Sequence, residues 1–201
     1  LDRGIFGLEQ LKSQEWENSL IEKQCLSLEQ KEPFIEDELG ALLSTFSRNT
    51  VYLAFVSRQA AIPQCEGNKP YQNQLFAYST VSESNSKAEV FTGACDRYKA
   101  FLEGLIETLS QSEHVLVYDK AYFELILSQA VNQFPDLAEK SNRLIQQILG
   151  IKQWLEEGLF LYPGIKKELL FKEVVSKVLG TYAFAKQAIY ADVLAVNLYV
   201  E

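Results

Sequence analysis

The chain has 201 residues, of which 47% are apolar and 12% aromatic, and its formal net charge is −8. This composition excludes a disordered chain and supports one domain with a substantial core. The acidic balance disfavours tight binding of nucleic acid through phosphate neutralisation. No apolar run approaches the ~20 residues of a membrane span, so we expect no membrane contact and a cytoplasmic location.

The first 48 residues predict a helical lead-in or arm. Residues 13–30 place apolar side chains at helical spacing, with Ser13 as a candidate N-cap. Pro33 then predicts the first turn of a second helix, whose apolar face includes Phe34 and Phe46. We therefore expect two domains or segments, 1–48 and 49–201.

The remaining residues predict an α/β domain. The apolar run Thr50–Ser57 is rich in β-branched and aromatic residues, which is typical of a buried strand. The elements predicted after it are strands at 74–81 and 87–92, a helix at 96–109, a strand at 114–119, helices at 121–131 and from 135 towards 149, and helices at 169–179 and 190–199. This order predicts an RNase H-like mixed sheet flanked by helices.

Zinc and nucleotide sites lack support in the sequence. Cys25, Cys65 and Cys95 are widely spaced, and His114 is the single histidine, so no zinc-ligand pattern occurs. Neither standard Gly-rich phosphate loop is present. We expect no cofactor from these motifs.

Four short segments resemble a known family, and their order and spacing are more specific than any one of them. They are Ile62-Pro63 with Pro70-Tyr71-Gln72 and Phe76-x-Tyr78-Ser79, then Asp96-Arg97, then Val115-Leu116-Val117-Tyr118-Asp119 with Phe123-Glu124, and finally Tyr162-Pro163 with Lys172. The chain resembles the bacterial domain of unknown function 2779 over nearly its whole length.

That resemblance implies a nuclease-like fold with a degenerate site. The family is similar to the DEDD 3′–5′ exonucleases, RNase H-like enzymes whose carboxylates bind two divalent metals. The Asp and Glu of the family's first strand fall on Ala54 and Val56, and a later Asp falls on Gly150. Glu124 alone is retained, and one carboxylate cannot hold a metal pair. We therefore expect a vestigial cleft at these four positions and no bound metal.

Other polar residues are candidate replacements for the lost acids. Asp119 follows a predicted strand and is expected to cap the next helix, with metal binding as the alternative. Asp96 is also expected to be a helix cap. Asp192 falls where DEDD enzymes carry a last acid on a C-terminal helix, and Lys172 could reach a phosphate or pair with Glu124.

Two function classes follow from these residues. The favoured one is a catalytically degenerate nuclease-like domain, which serves as an interaction or scaffolding part of a larger nucleic-acid-processing protein. Its partners would be proteins or other domains, with weak nucleic-acid binding at most. The alternative is an active metal-dependent 3′–5′ exonuclease that uses Mg²⁺ or Mn²⁺ at a site rebuilt from Glu124, Asp119, Asp192 and Asp96. A third possibility, self-association through aromatics such as Tyr190, is compatible with the first.

Overall fold

The computed structural model describes residues 23–24, 27, 29–46, 49–63, 67–83, 86–91 and 95–163. These residues form two units, each described by itself. The small unit holds the described residues through Thr45 and those from Lys152 onward, and the sheet unit is Phe46–Ile151. The helices predicted at 169–179 and 190–199, and most of the one at 13–30, lie outside the described residues. The predicted boundary between residues 48 and 49 stays a prediction.

The described elements include three successive strands, followed by helices that alternate with shorter strands. In chain order they are β1 (Phe34–Ile35), α1 (Asp37–Ser44), β2 (Thr50–Gln59), β3 (Asn73–Val81), β4 (Ser86–Val90), a 3₁₀ turn (Cys95–Arg97), α2 (Tyr98–Ser110), β5 (His114–Val117), α3 (Lys120–Gln133), a 3₁₀ turn (Pro135–Leu137), α4 (Ala138–Gln147), β6 (Ile148–Gly150), α5 (Ile151–Glu156) and β7 (Phe160–Leu161). The expected mixed α/β class is confirmed. No helix within the described ranges is long and apolar enough to cross a bilayer.

The small unit is organised by a two-stranded antiparallel ladder. Phe34 of β1 lies opposite Leu161 of β7. The chain reverses between α5 and β7 at Gly158, whose φ of +72° favours glycine. The Leu159 N–H donates to the Trp154 carbonyl over 2.8 Å, which closes the end of the helix in the manner of a Schellman motif.

The prediction that a helix begins at Pro33 is wrong, because α1 begins at Asp37. Phe34 and Ile35 are extended and hydrogen-bond to β7 instead. The Glu36 N–H also donates to the Leu159 carbonyl, over 2.9 Å. This pairing depends on residues distant in the chain, so local helical periodicity gives no sign of it.

The sheet unit is built around β2. The strand order is β4-β3-β2-β5-β6, with β2 antiparallel to β3 and parallel to β5. The β3–β4 ladder is antiparallel and the β5–β6 ladder is parallel. The three strands predicted first along the sheet unit are confirmed, with ends shifted by one or two residues.

The prediction that one helix runs from Pro135 towards Leu149 is wrong at its end. The α4 helix ends at Gln147, and residues Ile148–Gly150 form the edge strand β6. Ile148 is buried and pairs with Val115 of β5. A three-residue apolar run cannot be distinguished from a buried helical segment by periodicity alone.

The core lies between one face of the sheet and helices α2, α3 and α4. On β2, Phe55 packs against Phe123 of α3, with ring centroids 5.0 Å apart. On β3, Tyr78 packs against Phe101 of α2 at 5.4 Å. The largest fully buried side chains include Leu102, Leu105, Ile106, Leu109, Phe123, Ile126, Leu127 and Leu144. Apolar burial on this single face therefore holds the helices to the sheet.

Two leucines of α3 provide a matched test of this core. Leu127 is 1% exposed and Leu125 is 45% exposed. Leu127→Ala should lower the free energy of unfolding by about 2–5 kcal/mol, because it removes buried apolar area and leaves a cavity. Leu125→Ala should change it by less than about 0.5 kcal/mol. Urea denaturation followed by circular dichroism measures both, and equal losses would contradict the assigned face of α3.

Candidate functional site

The candidate site lies at the carboxyl end of the parallel strands β2, β5 and β6. Val117, the last residue of β5, pairs with Leu53 on one side and with Gly150 on the other. The carboxyl ends of parallel strands meet at one edge of the sheet, where open α/β sheets bind ligands. Gly150 is buried within this edge and offers no side chain to a ligand.

Ala54 and Val56 occupy the outward side of the central strand. Side chains alternate along a strand, so these two point away from the helices that Phe55 contacts. Ala54 is exposed and pairs with Ser79, while Val56 is half-buried and pairs with Ala77. The two positions therefore present an uncharged surface to solvent.

The acidic residues of α3 have local partners. Asp119 is the N-cap, and its Oδ1 accepts a hydrogen bond from the Tyr122 N–H over 3.0 Å, which confirms the expected cap. Glu124 lies one turn into the helix and forms an ion pair with Lys120, with Nζ 3.7 Å from Oε1. Both carboxylates thus stabilise the start of α3.

The prediction that Asp96 caps a helix is wrong. Asp96 lies inside the 3₁₀ turn Cys95–Arg97, and the N-cap of α2 is Arg97, which makes no side-chain cap bond. The intervening turn delays the helix by two residues, so the Asp96 carboxylate is not placed at its N–H groups. Asp192 and Lys172 lie outside the described residues.

Metal-ligating side chains do not gather in the described part of the chain. Within it, no three His, Cys, Asp or Glu side chains are close enough together to hold one ion. The candidate acids that are described, Asp96, Asp119 and Glu124, therefore form no such group.

A hydrogen-bonded polar cluster at this edge was missed by the sequence analysis. Tyr122 of α3 donates its hydroxyl to Asn73 Oδ1 over 3.0 Å and shares a short hydrogen bond with Ser57. Gln59 Nε2 donates to the same Asn73 oxygen over 2.7 Å. The cluster ties the first turn of α3 to the β2–β3 pair. Polar residues at the end of the apolar run of β2 were the available signal, but only the fold shows which residues they contact.

Arg58 lies beside this cluster on two aromatic rings. Its guanidinium carbon is 5.6 Å from the Phe76 ring centroid and 5.9 Å from that of Phe91. Nearby, the buried Tyr98 hydroxyl accepts a hydrogen bond from the Leu75 N–H over 2.9 Å. Burial raises the pKa of Tyr98 to about 12, against smaller opposing effects of this N–H and of the Arg58 charge.

The comparisons with known proteins show one family. The sequence profile of Domain of unknown function (DUF2779) matches residues 51–168, a range that begins in β2 and includes every later strand of the described residues. The chain therefore belongs to this family. No curated protein and no solved structure shows a significant match to the chain.

The polar cluster leads to a prediction at Tyr122. Tyr122→Phe should lower the free energy of unfolding by about 1–3 kcal/mol, because Asn73 and Ser57 lose a partner in a partly buried place. Tyr52→Phe is the matched control, since Tyr52 is 52% exposed, and should change stability by less than about 0.5 kcal/mol. Chemical denaturation measures the free energy of unfolding of both variants. An unchanged value for Tyr122→Phe would show that the cluster contributes little to stability.

A second prediction concerns pH. The pKa of Tyr98 is about 12 in the fold and about 10 in an unfolded chain, so the fold favours the protonated phenol. This stabilisation is fully present below about pH 10 and is lost as pH rises through about 12. Between about pH 9 and about pH 11, the native chain should lose about 1 kcal/mol more stability than Tyr98→Phe. Denaturation curves at both pH values measure this difference. Equal losses of stability in the native chain and in Tyr98→Phe would refute the raised pKa.

Proposed function

We propose that this chain is an RNase H-like, catalytically degenerate nuclease domain that serves as an interaction or scaffolding part of a larger nucleic-acid-processing protein. The observation that carries the proposal is the pair Ala54 and Val56 on the outward side of β2. In the nucleases that the family resembles, these places hold the two acids of the first strand. Here they supply no metal ligand.

The strand order supports the RNase H-like part of the proposal. The first strand of the sheet unit, β2, is central, β3 and β4 extend it antiparallel on one side, and β5 and β6 extend it parallel on the other. In this arrangement α3 directly follows β5, and Glu124 lies near its start. An RNase H-like sheet has the same succession of strands.

The local roles of the acidic residues support the proposed loss of nuclease activity. Asp119 accepts the Tyr122 N–H and Glu124 pairs with Lys120, so each carboxylate already stabilises α3. A two-metal site needs several carboxylates directed at two ions that lie about 3.5–4 Å apart. The net charge of −8 also favours a protein partner over the phosphate backbone of nucleic acid.

Restoring the acids tests the proposal. The native chain should show no Mg²⁺ or Mn²⁺ binding by calorimetry and no cleavage of single-stranded DNA or RNA. The double variant Ala54→Asp with Val56→Glu should gain Mn²⁺ binding, because it places two carboxylates on the same face of β2. The matched control, Ala54→Asn with Val56→Gln, has similar side-chain sizes without the charges and should gain none.

Two outcomes would overturn the proposal. If the native chain binds Mn²⁺ and cleaves, and Glu124→Ala abolishes both, the chain is an active nuclease with a rebuilt site. If the double variant folds but binds no more Mn²⁺ than its control, positions 54 and 56 do not belong to a former metal site.

A further inference from the structure

Arg58 is a cation without an ionic partner among the described residues of this acidic chain. The sequence holds 27 acidic and 19 basic side chains, an excess of eight acids (27 − 19). Even so, Arg58 forms no salt bridge with any described residue, and its contacts are the rings of Phe76 and Phe91. Cation–π contact orients a guanidinium while leaving its N–H edges free to bind an acceptor.

Two buried donors lie side by side at this place. Arg58 Nε and Gln74 Nε2 are both buried and have no hydrogen-bond partner among the described residues. Gln74 is 4% exposed. The two residues are directly paired across β2 and β3, so their side chains leave the same face of the sheet about 5 Å apart.

Leaving both donors unpaired is costly, because a buried polar group without a partner has lost its hydrogen bonds to water and gained none in the fold. An acceptor-bearing ligand would remove this cost at both groups together. Arg58 is half-buried as a residue and its Nε is buried, so a ligand reaches this place only through the exposed part of the Arg58 side chain.

We propose that Arg58 and Gln74 form a binding site for a phosphate group at the carboxyl end of β2. The guanidinium fork binds two oxygens of an oxyanion in its own plane. The Gln74 amide comes from the neighbouring strand and supplies a separate donor. A tetrahedral phosphate offers a third oxygen to such a donor, whereas a carboxylate has only the two that the fork occupies. Phe76 and Phe91 are buried, so they hold Arg58 and do not stack on a base.

The site is distinct from a metal centre, because it uses donors and needs no carboxylate. It lies two residues beyond Val56 on the same strand, which places a positive charge beside the outward face that lacks its acids. The inorganic-phosphate part of the proposal stands by itself. We also propose that the phosphate group is the one at the end of a nucleic-acid strand. This second statement rests on the proposed function.

Phosphate titration in the presence of EDTA tests the site, because the chelator excludes binding through a metal. Inorganic phosphate, followed by amide chemical shifts, should bind the native chain and perturb Arg58 and Gln74. Arg58→Gln and Gln74→Leu should each weaken phosphate binding by about tenfold. Arg97→Gln removes the same charge from an exposed arginine of the sheet unit and should leave binding within about twofold.

Gln74→Leu keeps the test valid if Arg58→Gln fails to fold. It replaces a buried amide without a bonded Nε2 by an apolar side chain of similar size, so the fold should be retained. No phosphate binding, equal weakening by Arg97→Gln, or acetate binding as tight as phosphate would each overturn the proposal.

Short DNA strands with and without a 5′-phosphate identify the source of the group. Tighter binding of the phosphorylated strand than of inorganic phosphate, lost in Arg58→Gln, would support a strand end. If inorganic phosphate binds but the phosphorylated strand binds no tighter, the strand-end statement fails while the phosphate site stands.

Discussion

The two-sided pairing of β2 is the constraint on which the sheet unit depends. One edge of β2 bonds antiparallel to β3 and the other bonds parallel to β5. Both edges are therefore occupied from Thr50 to Leu53, and beyond Leu53 the described pairing of β2 continues with β3 alone. The face with Phe55 is buried against Phe123, and the other carries Ala54 and Val56. Residues on this second face are relieved of core packing, so they set the chemistry available at the edge of the sheet.

The carboxyl end of β2 combines neutral, acidic and basic groups with separate tasks. The acids at the start of α3 are occupied by the helix itself, through the cap at Asp119 and the ion pair of Glu124. Tyr122 links that helix to Ser57 and Asn73. Arg58 Nε and Gln74 Nε2 are buried donors at this edge that have no partner among the described residues. Donors attract anions, which is the opposite of what a metal-dependent site requires.

Much of the fold could be predicted from local patterns. The apolar run of β2, the alternation in β3 and the cap at Asp119 are properties of a few adjacent residues, so the sequence shows them directly. Two of the failures involve partners distant in the chain. Phe34 lies in a strand because it pairs with β7, and Ile148 lies in a strand because it pairs with β5. The prediction that Asp96 caps a helix failed for a different reason, because a 3₁₀ turn separates Asp96 from α2.

The sequence by itself determined the family, the mixed α/β class and the identity of the residues at positions 54 and 56, because motifs, periodicity and residue type are written in chain order. Only the tertiary structure decided which side chains meet. The register of β2 with β3 puts Arg58 beside Gln74, and the packing of α3 brings Tyr122 to Asn73. A one-residue slip in that register would send alternate side chains to the opposite face. Such a pairing is fixed by burial across the whole sheet, which no short stretch of sequence encodes.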